Sequence, residues 1–168
     1  MGRAEQLSYA EAHERLSYNA ETGCFAIKKH RRYASLDGRE THCLDMHGYV
    51  QVNLRPYGPL KGHRLAWMMA HGEWPAGQID HINGVRDDNR IVNLRVVTNR
   101  INAQNKRKAL PSNKLGVLGV TYRVRRGYRA TVTHYSKAHC VPGSFATAEA
   151  AHAAYVALKR QLHEGCTL

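Results

Sequence analysis

The sequence predicts an α+β protein in which short strands and helices are grouped into two regions. In several segments of about four to eight residues the apolar side chains alternate, which is typical of half-buried strands, and in others they recur at helical spacing. A polar segment that contains a proline, residues 108–115, interrupts both patterns and predicts a linker. With 168 residues the chain is long enough for one ordinary domain or two small ones.

Residues 1–46 are predicted to form an N-terminal adaptor region, a small helix and strand region that precedes the main domain. Ser8 followed by Glu11 is a capping box, which predicts a short helix that continues to Leu16. The sequence NAETG after it predicts a turn, and CFAIKK at 24–29 predicts a strand.

Residues 47–107 are predicted to form the main domain. Alternating apolar residues in GYVQVNL, 48–54, predict a strand, and the Pro- and Gly-rich sequence RPYGPLKG after it predicts a turn, so that the region resembles a hairpin. The segment HRLAWMMAHG, 63–72, has helical spacing and ends on a glycine. The sequences QID and LRVVT predict two short strands, and Thr98 predicts the N-cap of a helix over 99–108.

Residues 116–168 are predicted to form a three-stranded antiparallel sheet with one helix across its back. Three candidate strands, VLGVTYRV, YRATVTHY and AHCVPGSF, are joined by RRG and SK turns. Thr147 predicts the N-cap of the last helix, whose apolar residues recur at helical spacing from Ala151 until Gly165 ends it. An apolar helix face covers one side of such a sheet and leaves the other side free.

The excess positive charge lies in one part of the chain. Lys and Arg number 25, against 13 Asp and Glu. From Asn89 to Ala148 there is no acidic residue, and this segment holds 12 of the 25 basic residues. Such a block favours a polyanionic partner, since each basic side chain that neutralises a phosphate releases condensed counterions. A basic face that serves only solubility would not require acidic residues to be excluded, so nucleic-acid binding is the preferred interpretation.

The composition predicts a soluble protein that is not exported and has no membrane partner. No apolar run has the length of a membrane span, and the N-terminal residues lack the hydrophobic segment of a signal peptide. The four cysteines are scattered without a C-x-x-C pair, which argues against a zinc ribbon or a disulfide framework. We therefore expect reduced thiols and a cytoplasmic location.

The segment QIDHINGVRDDNRIVNLRVVTNRINAQN, 78–105, combines an Asp-His pair with six asparagines. Asp80 and His81 are adjacent at the end of a predicted strand, so their side chains point to opposite sides. One of them can then bind a metal ion while the other faces a substrate. Asn93 falls at the start of the second strand and Asn102 lies one turn beyond the helix cap, so the four side chains converge if strands and helix pack together.

The segment HRLAWMMAHGEWPAGQIDHINGVRDDNRIVNLRVVTNRINAQN, 63–105, resembles the HNH nuclease family, in the His-Asn-Asn branch typical of phage and intron-encoded endonucleases. The order and spacing of its motifs carry this resemblance. It implies a ββα-metal nuclease core in which Asp80 and Asn102 bind one divalent ion, Mg²⁺ or Mn²⁺, through hard oxygen ligands. It also implies that His81 is the general base for the attacking water, and that Asn93 fixes the loop and orients the His81 ring.

Other polar residues of this segment have simpler interpretations. Asn83 belongs to an Asn-Gly turn and Asn89 caps or closes the loop, so neither is assigned a catalytic role. His63 is a possible phosphate contact, but a helix-start histidine satisfied by the backbone fits equally well. Asn99 and Asn105 fit helix-start or phosphate-contact positions better than metal-ligand positions.

Residues 116–164 resemble the Apetala-type DNA-binding domain, known from plant ethylene-response factors and often fused to phage HNH nucleases. The resemblance rests on GV-Y, Y-A-V and GSFATAEAAHAAY and on the spacing between them. In that family the exposed sheet face lies in the DNA major groove, where arginine pairs with guanine. Tyr128 stands where the plant pattern usually has tryptophan, and strand alternation means that not every candidate can face the groove. The predicted DNA contacts are Arg100, Lys106, Arg107, Lys108, Tyr122, Arg123, Arg125, Arg126, Tyr128, Arg129, Thr131 and Thr133.

These features together predict a divalent-metal-dependent endonuclease that nicks or cuts double-stranded DNA as a monomer or a homodimer. The family resemblance implies a phage or mobile-element origin, homing ahead of restriction, and action in the cytoplasm of a bacterial host. The alternative is a non-catalytic, sequence-specific DNA-binding regulator that keeps a nuclease fold. RNA as the substrate is a weaker third option.

Overall fold

The chain forms two compact units that together confirm the predicted α+β class. The first unit extends to Thr98 and the second begins at Asn99. Helices and small antiparallel sheets occur in both units. None of the helices in the described part of the chain is long and apolar enough to span a bilayer. The residues that the computed structural model describes are 6–28, 35, 37–105 and 107–168.

The first unit combines helices with three small antiparallel sheets. Its elements are, in chain order, α1 (Tyr9–Arg15), β1 (Leu16–Tyr18), β2 (Phe25–Ile27), β3 (Cys43–Leu44), β4 (Val50–Leu54), β5 (Gly58–Lys61), α2 (Gly62–His71), β6 (Gln78–His81), a 3-10 helix (Ile91–Asn93) and β7 (Leu94–Val97). Strand β1 pairs with β2, strands β3, β4 and β5 form the second sheet, and β6 pairs with β7. The last pair is the hairpin that carries the Asp-His motif.

The N-terminal helix begins as predicted but ends one residue earlier. The Ser8 hydroxyl accepts a hydrogen bond from Glu11 N at 3.2 Å, which is the predicted cap. Leu16 does not continue the helix; it begins β1 and lies opposite Ile27 of β2. Local helical spacing carries no information about a partner strand on the far side of a turn, which explains why the sequence did not predict β1.

Helix α2 and the hairpin before it lie close to their predicted positions. Gly72 adopts φ 86° and donates its backbone N–H to Met68 O at 2.9 Å, so the helix ends in a left-handed cap. In β4 the alternating side chains of Val50, Val52 and Leu54 are buried, as the pattern predicted. The second strand of this hairpin, β5, lies within the segment that was predicted as a turn.

The core of the first unit fixes the orientation of the Asp-His hairpin. Ile79 of β6 and Leu94 of β7 belong to the same buried cluster as Leu65 of α2 and Phe25 of β2. Alternate residues of a strand face opposite sides. Burial of Ile79 therefore turns Asp80 toward the other face of the hairpin.

The second unit contains the predicted sheet and helix. Its elements are α3 (Asn99–Gln104), β8 (Val120–Arg123), β9 (Gly127–His134), β10 (Lys137–Cys140) and α4 (Ala148–Leu162). The strands form an antiparallel sheet in the order β10, β9, β8. Ala130 and Val132 of β9 pack against Tyr155 of α4 and form the core. Thr147 caps α4 as predicted, because its hydroxyl accepts a hydrogen bond from the backbone N–H three residues later.

Helix α3 is shorter than the sequence predicts, because it ends at Gln104. The backbone N–H of Asn105 is shared between Ile101 O at 3.2 Å and Asn102 O at 3.1 Å. Such three-centre bonds are common at helix termini. Lys106, which was expected to lie in this helix and to contact DNA, is outside the described residues.

Candidate active site

Asp80 and His81 occupy the last two positions of β6. In the antiparallel register Asp80 lies opposite Arg95, and His81 lies opposite Leu94. His81 is only 5% exposed, whereas the Asp80 side chain is 13% exposed on the other face. The adjacent residues thus present a buried ring and a more accessible carboxylate on opposite sides of the strand.

The Asp80 carboxylate forms an ion pair across the hairpin. Arg95 Nε and Nη2 both donate to Asp80 Oδ2, at 3.0 and 2.8 Å. Arg95 was not predicted as a partner of Asp80, although the register of the two strands brings these residues together. A guanidinium therefore neutralises the carboxylate that was predicted to bind a metal ion.

His81 has a buried hydrogen-bond partner that the sequence analysis assigned to loop closure. The Nε2 atom of His81 lies 3.3 Å from Asn89 Oδ1, and Asn89 is 1% exposed. Burial lowers the pKa of His81, while the hydrogen bond with Asn89 and the charge of Asp80 act in the opposite direction. The lowered pKa favours the neutral imidazole at neutral pH.

Asn93 holds together the loop between β6 and β7. Its Oδ1 accepts a hydrogen bond from Asn83 N at 2.9 Å, and its Nδ2 donates to Asp88 O at 2.8 Å. The Asn93 backbone carbonyl accepts a further bond from Ile82 N at 2.9 Å. These contacts connect both ends of the loop. The polar contact to the His81 ring comes from Asn89, and the predicted role of Asn93 in orienting that ring stays a prediction.

His63 belongs to a cluster of three rings beside the strand. Its ring centroid lies 5.4 Å from that of His81 and 5.3 Å from that of Tyr49, and Tyr49 is 5.9 Å from His81. Burial, and after it the neighbouring His81, lowers the pKa of His63 to about 4. The buried Nδ1 of His63 has no hydrogen-bond partner among the described residues. A phosphate contact from His63 would therefore be a neutral N–H donor at neutral pH.

Two basic side chains lie beside the Tyr49 ring of this cluster. The Arg86 guanidinium lies 5.1 Å from the Tyr49 ring centroid, and Arg86 Nη1 donates to His47 O at 2.7 Å. Lys61 lies 5.7 Å from the same centroid and forms an ion pair with Asp45. Neither cation was singled out by the sequence analysis, because the β3–β4 turn brings them near the site only in the folded chain.

The predicted ligands for a metal ion are one carboxylate and one amide oxygen. Within the described residues no group of three His, Cys, Asp or Glu side chains has the arrangement of a metal site. The predicted ligands are Asp80, in the first unit, and Asn102, on α3 in the second. The convergence of these two side chains stays a prediction.

Strand alternation divides the predicted DNA contacts of β9 between two faces. Ala130 and Val132 are buried against α4. Arg129, Thr131 and Thr133 alternate with them and therefore face the open side of the sheet. Strand β9 thus contributes one arginine and two hydroxyl groups of the predicted set to the open face.

The remaining predicted contacts of this sheet lie near the β8–β9 turn. Tyr122 and Tyr128 are directly opposite each other, with ring centroids 5.0 Å apart, on the face that also carries Ala130. Arg125 and Arg126 are in the turn itself, where Arg125 adopts φ 64°. An open cleft of about 450 Å³ at this end of the sheet is lined by Arg123, Arg125, Arg126, Gly127, Arg129, Gly143 and Ser144.

Two of the predicted contacts before the sheet have partners within the second unit. The Arg100 guanidinium lies 4.6 Å from the ring centroid of Tyr135. Arg107 Nη2 donates to Thr167 Oγ1 at 2.6 Å and to Thr167 O at 3.2 Å. Lys108 is exposed. The Arg100 guanidinium therefore stacks on the Tyr135 ring, and the Arg107 guanidinium is hydrogen-bonded to Thr167 near the C-terminus.

Residues 61–104 match the HNH endonuclease family. The matched segment contains Asp80, His81, Asn93 and Asn102, and it supports an HNH nuclease. HNH nucleases act on DNA and generally use a divalent metal ion. Searches of curated proteins and of solved structures gave no match.

Proposed function

We propose that the protein is a divalent-metal-dependent endonuclease that hydrolyses DNA phosphodiester bonds at a single-ion site. One observation carries this proposal: Asp80 and His81 are paired at the end of β6, within the segment that matches the HNH endonuclease family. The His81 ring is buried with a lowered pKa, and Asp80 offers a carboxylate on the other face. A proton acceptor beside an oxygen ligand suits the metal-assisted hydrolysis of a phosphodiester.

Asp80 would hold the ion together with the amide oxygen of Asn102. Both donors are hard oxygen atoms, which suits Mg²⁺ or Mn²⁺ and leaves positions for water and phosphate. Arg95 donates to Asp80 Oδ2, so an ion held by Asp80 would displace this guanidinium or share the carboxylate with it. When bound, one such ion per site supplies positive charge that stabilises the negative charge developing on the phosphate and the leaving oxygen.

Residues of the chain itself provide proton transfer and orientation. His81 takes a proton from the attacking water, which a neutral imidazole can do because burial lowers its pKa. Asn93 keeps the loop in place through Asn83 and Asp88. His63 lies beside His81 and offers an N–H group to a phosphate oxygen.

The sheet of the second unit and the basic residues that precede this sheet hold duplex DNA in this proposal. Arg129, Thr131 and Thr133 are on the open sheet face, and Arg125 and Arg126 extend the basic surface into the turn. One active site cuts one strand per visit, so a monomer would nick DNA and a homodimer would make a double-strand break. A phage or mobile-element role of the homing type follows from the family resemblance.

A supercoiled-plasmid assay tests the catalytic proposal. Wild type is incubated with Mg²⁺ or with EDTA, beside His81→Ala and the control His42→Ala, which replaces an exposed histidine. We expect nicked or linear plasmid only with Mg²⁺. The cleavage rate of His81→Ala should be about 10²- to 10⁴-fold lower than that of the wild type, because the general base is removed. His42→Ala should cleave as wild type does. Equal inactivity of wild type and His81→Ala, with DNA binding retained, would contradict the nuclease function.

The Arg95 ion pair favours one second candidate, a non-catalytic DNA-binding regulator that keeps the nuclease fold. A guanidinium that stays on Asp80 would take the place of the metal ion. Such a protein would bind specific DNA without cleaving it, and calorimetry would detect no binding of Mn²⁺. Competition between duplex DNA and RNA for the same protein separately tests the class of nucleic acid.

A further inference from the structure

Asn89 lies in the loop between β6 and β7, and its side chain is almost completely buried at 1% exposure. Its amide oxygen is 3.3 Å from His81 Nε2, whereas its amide nitrogen has no hydrogen-bond partner among the described residues. A buried amide nitrogen without a partner costs free energy, because it loses its hydrogen bonds to water and gains none in return. The side chain is held in this position despite that cost, and His81 is its polar contact.

The orientation of the Asn89 amide selects the nitrogen of the His81 ring that carries the proton. In the structure the amide oxygen faces the ring, and because this oxygen only accepts, Nε2 is the donor. A neutral imidazole has a single N–H group, and Nδ1 therefore keeps its lone pair as the proton-accepting atom. A group that accepts a hydrogen bond from one ring nitrogen thus selects the tautomer in which the other nitrogen is unprotonated.

The N-terminal hairpin holds the backbone of Asn89. Tyr18 Oη donates to Asn89 O at 2.7 Å, and Ile91 N donates to Ala20 O at 3.1 Å. Gly23 lies so close that a Cβ built there would be 2.7 Å from the carbonyl carbon of Asn89. Two contacts from β1 and the turn after it thus hold the Asn89 backbone, and a third holds Ile91 two residues further along the chain.

The Asn89 side chain also depends on a glycine of α2. A Cβ built on Gly62 would lie 2.9 Å from Asn89 Nδ2 and 2.9 Å from Val50 Cγ1. Gly62 therefore leaves the space that the amide group occupies. The N-terminal hairpin on the backbone and Gly62 beside the side chain together hold the amide against the His81 ring.

We propose that Asn89 is a positioning residue for His81 and that the β1–β2 hairpin is its support, which gives the N-terminal region a role in the reaction. This inference rests on the nuclease function proposed above. Tyr18 and the turn after it fix the Asn89 backbone, and Asn89 Oδ1 accepts the hydrogen bond from His81 Nε2. The Nδ1 atom of His81 is thereby available as the base.

The tautomer of His81 can be measured without any cleavage assay. In the full chain with isotope-labelled histidine and no divalent ion, long-range proton–nitrogen NMR spectra at alkaline pH show which ring nitrogen is protonated. We expect a single Nε2–H tautomer whose proton is protected from exchange with water. Asn89→Ala should remove the protection and mix the tautomers, whereas Asn89→Asp, which keeps an acceptor oxygen, should retain Nε2–H. His81→Ala assigns the signals.

Cleavage kinetics give a second readout. Loss of a group that orients a functional histidine typically costs about 10- to 100-fold in activity, and for Asn89→Ala we expect that loss in kcat with little change in KM. Tyr18→Phe removes one hydrogen bond but keeps the ring, so kcat should fall by a smaller factor. Tyr9→Phe, at a half-exposed tyrosine on α1, is the matched control and should keep the wild-type kcat.

Two results would overturn the role of Asn89: an Nδ1–H tautomer in the wild type, or an unchanged kcat in a folded Asn89→Ala variant. If Asn89→Ala does not fold, the wild-type tautomer and the kcat of Tyr18→Phe decide in the same way. Inactivity of the wild type rejects the nuclease function separately, because the ring spectrum still decides whether Asn89 sets the tautomer of His81.

Discussion

The Asp80 carboxylate is the candidate metal ligand, and it already forms an ion pair with Arg95. Arg95 lies directly opposite Asp80 and donates to one carboxylate oxygen through two nitrogens. Hydrogen bonds between charged partners are among the stronger ones in proteins. A metal ion at Asp80 therefore has to displace this guanidinium or share the carboxylate with it.

We expect Arg95→Gln to bind Mn²⁺ more tightly than the wild type. Ion pairs that stay accessible to solvent contribute about 0.2–1 kcal/mol, and for this partly buried pair we expect at least the corresponding gain in affinity of roughly 1.4- to 5-fold. Calorimetric titration measures the change. The control is Arg86→Gln, which removes the same charge from a side chain that contacts Tyr49 and His47. Equal Mn²⁺ affinities for the two variants would mean that Arg95 does not compete for the ion.

The positions of candidate site residues were predictable where these residues are neighbours in the chain. Asp80 and His81 were placed on a strand with opposed side chains, and β6 bears this out. Asn89 was assigned to loop closure, because a loop asparagine has the same local sequence whether it faces solvent or a ring. Its contact with His81 depends on Tyr18, which is distant in the chain and meets it only after folding.

At the scale of elements, the turn between β1 and β2 is an integral part of the first unit. Asn19 organises this turn, because its Oδ1 accepts hydrogen bonds from Glu21 N at 2.9 Å and Thr22 N at 3.1 Å. Gly23 closes the turn with φ 77° and packs against the Asn89 backbone. The backbone of one element is thus in direct contact with that of another.

We expect Gly23→Ala to destabilise the chain more than Gly48→Ala. Both glycines are in the left-handed region, with φ of 77° and 80°, where an alanine costs about 1–2 kcal/mol. Only at Gly23 would the added Cβ meet backbone atoms at 2.7 Å, while Gly48 has nothing within 4 Å. Overpacking adds about 1–3 kcal/mol. Urea unfolding measures both free energies, and equal losses would contradict the close contact.

Elements with local signals were predicted more accurately than elements that depend on pairing. The Ser8 and Thr147 caps and the Gly72 stop are local, and all three are present. Strand β3 was not predicted, because two residues, Cys43 and Leu44, carry no periodic pattern and become a strand only through their pairing with β4. The helix after Thr98 was predicted too long because no local signal marks its end at Gln104.

At the scale of the whole molecule, the segment from Asn89 to Ala148 spans both units and contains no acidic residue. If this charge contacts phosphates, DNA affinity should fall steeply with salt, with a slope of log K against log[salt] of about −0.9 per phosphate contacted. Fluorescence anisotropy across a salt series measures that slope. Arg126→Gln should weaken DNA binding and leave Mn²⁺ affinity unchanged. A flat salt response would exclude broad phosphate contact.

Buried histidines in both units make the folded chain sensitive to acid. Burial lowers the pKa of His63 to about 4, and it also lowers the pKa of His81 and of His163. Unfolded histidines titrate near about pH 6.5, so at lower pH the unfolded chain binds more protons than the folded chain. The stability that these groups contribute is fully present above about pH 6.5 and is lost as the pH falls toward the folded values.

We expect His63→Gln to make the stability of the first unit less dependent on pH. Each such histidine contributes a slope approaching about 1.4 kcal/mol per pH unit between its folded and unfolded pKa values. Urea unfolding at several pH values between about 7 and 5 measures this slope. His42→Gln, at an exposed histidine, should keep the wild-type slope. The same slope in all three proteins would show that His63 is protonated in the folded chain over this range.

The contact of Tyr18 and Gly23 with Asn89 determines which residues a chimeric protein made from this chain has to include. The family match begins at residue 61, so a cassette cut by sequence similarity would omit the β1–β2 hairpin. A graft of that cassette would leave the loop of Asn89 without its backbone partner and expose the apolar surface that Phe25 covers. A module transplanted from this chain therefore has to include the hairpin, because its boundary is set by contacts between residues and not by the limits of the matched segment.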